Sequence, residues 1–184
     1  MPTDRKFCRF NKQPETAAFS VTEIPPSGFC MSAFLVITQQ AHHNRVLMGK
    51  LDPDADWEHV GALDKSRALV HSRGWMLPSS HLIYKEPPQE AATRISSEQL
   101  EIHGLKLLGP TVISYVDKPK RFPQLDDHWD LEFGFTGEIS ADRIPKPSVW
   151  NEIELVDLEL TSKAEMARSH EDILESLGFK FGRP

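Results

Sequence analysis

From Phe29 to Gln40 the chain is almost continuously apolar and rich in β-formers, which predicts a buried strand. Ala41-His42-His43-Asn44 then reads as a polar turn, and Arg45 to Leu51 as the return strand of a hairpin. Asp52 to Asp56 is acidic and contains Pro53, a loop signal, and Ala62 to Ser72 carries Leu63, Ala68 and Leu69 at mixed helical spacing, which predicts a short helix. Trp75 to Tyr84 is extended around a Pro78-Ser79-Ser80 turn. Pro87 and Pro88 open the clearest helix, which runs to about Leu100, because a proline in the first turn removes only an N–H that has no helical partner. Leu105 to Val116 is one long strand or a strand pair interrupted at Gly109-Pro110, 118–127 is a proline-containing loop, and Trp129 to Glu138 and Ile153 to Leu160 alternate as strands. Ser169 to Leu177 reads as a closing helix with Ser169 as N-cap and Gly178 just past its end. This order of elements predicts an α/β domain with a mixed central sheet between helices. It spans residues 29–184 with an insert at about 52–73, preceded by a polar extension, 1–28, that ends in Ile24-Pro25-Pro26-Ser27-Gly28.

With 184 residues, 39% hydrophobic and 26% charged, the chain is long enough for one domain with its own core. The net charge of -6 argues against a nucleic-acid partner, which needs clustered Lys and Arg facing phosphates, but a small phosphorylated ligand needs only a local group of cations. Cys8 and Cys30 have neither metal-ligand nor disulfide-framework spacing and read as reduced thiols. Met1 to Gln13 has no apolar signal core, and the longest apolar run, Phe29 to Ile37, is about half a bilayer span. Both features predict a cytoplasmic protein without a membrane segment.

The chemically informative stretch is Gly74 to Ile102, GWMLPSSHLIYKEPPQEAATRISSEQLEI. It resembles the Nudix (MutT-like) hydrolase family, whose pattern is a Trp-x-Leu-Pro-Gly-Gly approach followed by Gly-x5-Glu-x7-Arg-Glu-U-x-Glu-Glu-x-Gly-U, U being aliphatic. Trp75, Leu77 and Pro78 match the approach, Glu86 the first Glu, Arg94 the Arg, Glu98 the first of the Glu-Glu pair and Ile102 the last aliphatic position. Asn151 to Leu158 is similar to the family's late strand. The resemblance implies a Nudix-type α/β/α sandwich and a cleft for a diphosphate-linked, nucleotide ligand. It also implies that Glu86 and Arg94 lock the loop onto the helix.

The departures from the pattern bear on chemistry. Family enzymes hold Mg²⁺ or Mn²⁺ on the substrate diphosphate through carboxylates on one helical face, because hard cations need oxygen donors. Those three positions are here Ile95, Glu98 and Gln99, so one carboxylate survives and Gln99 offers only a neutral carbonyl oxygen. Ser79 and Ser80 replace two glycines whose backbone path serine resists. If the chain hydrolyses a diphosphate, the expected machinery is Glu98 as main ligand, Gln99 as a weak accessory and His81 as phosphate contact, with further metal ligands from Glu101 and Glu152 or from Glu86, Asp126, Asp127 or Glu132. Lys120, Arg121, Phe122 and Trp129 would recognise the rest of the substrate, cations for phosphate and aromatics for the base. Three functions fit: a divergent metal-dependent hydrolase, a non-catalytic domain for ligand sensing or protein interaction, and an isomerase of the isopentenyl diphosphate kind. The third lacks its cysteine at Ser79-Ser80-His81. A homodimer is compatible with the family. The remaining histidines lack ligand spacing, and His42 and His43 read as exposed turn residues.

Overall fold

In this computed structural model the described residues are 9–10, 29–117, 128–140, 144 and 149–183. They form strands β1 (Arg9–Phe10), β2 (Phe29–Gln39), β3 (His42–Leu51), β4 (Ser79–His81), β5 (Leu107–Asp117), β6 (His128–Ile139) and β7 (Trp150–Asp157). The helices are α1 (Trp57–Gly61), α2 (Lys65–His71), α3 (Pro88–Gln99) and α4 (His170–Ser176). The strands make one mixed sheet in the order β5-β6-β2-β3-β7. β2 is its axis. One edge pairs in parallel with β6 from Phe29↔Trp129 to Gln39↔Ile139. The other edge is shared by β1 at Cys30, β4 at Ser32 to Phe34 and β3 at Thr38 and Gln39.

Alternation along β2 sorts two cores. Ala33, Leu35 and Ile37 face α3 and meet Ala91, Ala92 and Ile95 of that helix, with Phe135 of β6. Phe34 and Val36 face the other side and meet Ile173 and Leu174 of α4. Ala91, Ile95 and Gln99 recur every four residues and give α3 its buried stripe. His170, at the start of α4, is buried, accepts the Leu77 N–H at Nδ1 (3.0 Å) and stands edge-on to Phe34. Its proton therefore sits on Nε2.

Several boundaries differ from the sequence reading. The hairpin turn is the two residues Gln40 and Ala41, with Ala41 at φ 65, so His42 and His43 begin β3 instead of forming the turn. The insert holds two short helices instead of one. The side chains of Asp56 and Asp64 accept the N–H groups of His59 and Arg67, so Asp56, read as part of an acidic loop, and Asp64, read as lying inside a helix, are both N-caps. Ala62 at φ 53 ends α1. Ser169 makes no side-chain cap. Gly178 at φ 89 closes α4 as expected, its N–H reaching Glu175 O. β7 starts at Trp150 and stops at Asp157, whose carboxylate accepts Glu159 N–H in the following turn. Among the described residues no helix is long and apolar enough to cross a membrane.

The insert packs a third core in which Trp57 and Trp150 meet edge-on at 4.7 Å between centroids. At the end of α2, burial and the nearby Arg168 and Arg67 hold the half-buried His71 down at about 4, from 6.5. The unfolded chain then binds a proton that the folded chain refuses, so stability is full above pH 6.5 and falls as the pH drops to about 4. With solvent screening at this half-exposed position the loss should be about 1 kcal/mol. Tm measured between pH 7 and pH 4 should drop less in His71→Asn than in the parent, and equal drops would refute the assignment.

Candidate functional site

The segment that enters α3 is held to the helix by a compact ionic lock. Arg94 donates from Nε to Glu86 Oε1 (2.7 Å) and from Nη2 to Glu86 Oε2 (2.8 Å), and Glu86 Oε2 also accepts Ile83 N–H (2.8 Å). Arg94 Nη2 reaches His81 O at 3.1 Å as well. Both side chains are about nine-tenths buried, so the pair works as a planar two-point clamp in a dry setting. The loop-locking role implied for Glu86 and Arg94 is the one their contacts show.

Gln99, fully buried at the end of α3, is the second fastening. Its Oε1 accepts Ser79 N–H (3.1 Å), while Nε2 donates to Ser79 O (2.8 Å) and to Val60 O of α1 (3.0 Å). Its main-chain carbonyl accepts the Trp150 indole N–H (2.7 Å). One side chain thus ties α3 to β4 and to the insert, and both Nε2 hydrogens are committed. The backbone of Ser79 and Ser80 is extended and paired with Phe34 and Ala33 of β2. Both serines thus lie in a short strand, a conformation that serine adopts readily.

The residues expected to hold a cation do not converge. Ile95 is fully buried in the α3 core. Glu98 is partly exposed, with Oε2 4.0 Å from Arg94 Nη1 one turn back. Gln99 is occupied as described. Glu101 is exposed in the turn after α3, at φ 54, and Glu152 lies on β7 in an ion pair with Lys50 (2.7 Å). Among the described residues no group of three or more His, Cys, Asp or Glu side chains is arranged to hold a metal ion. Among the described residues Glu98, Glu101 and Glu152 thus form no shared three-ligand site for Mg²⁺ or Mn²⁺. His81 is buried, with Nδ1 2.9 Å from Ser32 Oγ, and is turned into the sheet. Trp129 is half-buried and donates to Ser114 Oγ (2.8 Å). Lys120, Arg121, Phe122, Asp126 and Asp127 lie outside the described residues.

A buried polar row runs across the side of the sheet that carries α4; the sequence singles out His81 and Glu132 separately, as phosphate contact and optional metal ligand, but not the row as a unit. Cys30, Ser32, His81, Asp130 and Glu132 are all buried, and register places Cys30 beside Asp130 and Ser32 between Glu132 and His81. Cys30 donates its thiol hydrogen to Asp130. Burial, then Asp130 and Glu132, push that thiol far above the usual thiol range, so it is not a nucleophile at neutral pH. The spacing of Asp130 and Glu132, two apart on a strand, puts both carboxylates on one face, but that pattern looks the same when the face is solvated.

In sequence the chain matches no family model and no curated protein. In structure it is similar to a MutT protein from Methanosarcina mazei Go1, with 15% identity, 84% of this chain and 94% of that one covered, and a TM-score of 0.55. It is similar to the NUDIX domain of Shewanella oneidensis NrtR complexed with ADP ribose (13% identity, 80% and 85% covered, TM-score 0.53). A mutT/nudix family protein from Listeria innocua gives 18% identity, 80% and 90% coverage and a TM-score of 0.52. A mixed sheet between α3 and α4, with a loop clamped to the helix that follows it, defines an α/β/α sandwich protein. The fold is the Nudix fold.

Proposed function

We propose that this protein is a Nudix-fold binding module that takes up a nucleoside-diphosphate-linked ligand without metal-dependent hydrolysis. The carrying observation is Gln99. At the position where the family pattern has its last carboxylate, a neutral amide donates to two main-chain carbonyls, one of them from the insert. A carboxylate cannot donate, so this position serves cohesion and not cation binding. Support for the ligand class comes from the fold, which is shared with a NUDIX domain complexed with ADP ribose.

The test is a thermal-shift titration with ADP-ribose, NADH and nucleoside triphosphates, with Mg²⁺ or with EDTA, and product analysis of the same samples. Ligand-dependent stabilisation that survives EDTA, with ligand recovered intact, is the expected result. Metal-dependent cleavage that disappears in Glu98→Gln would establish the hydrolase instead. A second reading, a protein-interaction module, draws on α2, where Leu69 and Val70 are 63% and 73% exposed. Absence of stabilisation by every ligand in the panel would favour it.

A further inference from the structure

At the far end of β2 from the ionic lock, a groove of about 470 Å³ opens on the side of the sheet that carries α4. Its lining includes Thr38, Thr136, Leu108 and Phe179, with Lys106, His43 and Glu138 as its titratable side chains. A smaller depression of about 150 Å³, lined in part by Gln40 and His103, adjoins it and shares Lys106. Thr38 lies four residues beyond the Phe34↔Ser79 pairing, or ~13 Å along the strand, so this is a place separate from the segment around Gln99.

Three features define what would fit. Leu108 lines the groove and is 62% exposed, a large apolar side chain left open to solvent. Phe179 also lines the groove, and its ring offers a surface for a flat apolar body. Among the described residues the Lys106 ammonium has neither an ion pair nor a hydrogen bond, whereas the carboxylate of Glu138, which also lines the groove, lies 3.9 Å from His43 Nδ1. One uncommitted positive charge beside an apolar slot of this size matches a small organic ligand with one negative charge. We propose that this groove binds an aromatic monoanion, a carboxylate or a phosphodiester, with its ring between Leu108 and Phe179 and its charge on Lys106. The inference is independent of the function proposed for the α3 side.

The experiment titrates the full chain with 2-naphthoate and, separately, with its neutral counterpart 2-naphthamide, followed by amide ¹H–¹⁵N shifts. Both should saturate with shifts at Thr38, Lys106 and Thr136, the acid about fivefold more tightly than the amide, as one partly exposed ion pair allows. Lys106→Gln should bring the acid down to the level of the amide and leave the amide unchanged. Leu108→Asn should weaken both. Saturation without shifts at those three residues, equal binding of acid and amide, or an acid preference that survives Lys106→Gln would each overturn the proposal, as would no saturation at all.

Discussion

Gln99→Glu, which writes a family carboxylate back into the sequence, is expected to destabilise the protein by about 3 kcal/mol at pH 7 and to create no metal site. The glutamate oxygen that replaces Nε2 would face Ser79 O and Val60 O, two acceptors now 2.8 and 3.0 Å from a donor. Two carbonyls would lose their partner, and a buried negative charge would sit against them. For a chain of this size that corresponds to a fall in Tm of about 6–12 °C. Burial would raise the new carboxyl's pKa, and its protonated form can donate to one of the carbonyls. The defect should therefore shrink as the pH falls and grow as it rises. Gln99→Met, which removes the bonds without adding charge, should lose less, about 2 kcal/mol. Chemical denaturation of the three proteins with and without Mg²⁺ decides the matter. A glutamate variant as stable as the parent, or one that Mg²⁺ stabilises, would show that the amide is not the fastening described.

Arg94→Met should cost about 4 kcal/mol, comparable in size but different in origin. It strips Glu86 of two charge-assisted bonds and leaves a carboxylate in a site from which water is largely excluded. Because much of that loss is the stranded charge, the double variant Arg94→Met/Glu86→Gln should recover part of it. A double-mutant cycle measured by urea denaturation should then give a coupling energy above about 1 kcal/mol. Simple additivity would place the lock among exposed ion pairs of little consequence. The same variant should release residues 79–86, read as faster amide exchange at Ile83, whose N–H bonds to Glu86.

What the sequence reveals here depends on how local each cause is. β2 and α3 are legible because their signals lie within the elements: an apolar run, and a proline start followed by Ala91, Ala92 and Ile95 on one face. Glu86 and Arg94 are legible as a pair through the motif. The fastening role of Gln99 is not legible because its partners, Ser79 and Val60, lie 20 and 39 residues away, and only the fold aligns their carbonyls with its amide. Glu132 reads only as one of several possible downstream carboxylates and Asp130 draws no attention, because alternation reports which residues share a side, not whether that side is covered. The insert resists for a smaller reason: Asp56 and Asp64 cap helices of five and seven residues, too short for periodicity to show.

The longest ladder in the sheet joins residues a hundred positions apart, Phe29 with Trp129 through to Gln39 with Ile139. Loop closure over that span comes before the reward of pairing, so folding should be slow relative to helical chains of similar length. During synthesis the hairpin and α3 would be complete while one whole flank of the central strand still lacked its partner. A chain halted before residue 128 would thus expose an unsatisfied β-edge, the template on which partly made proteins aggregate.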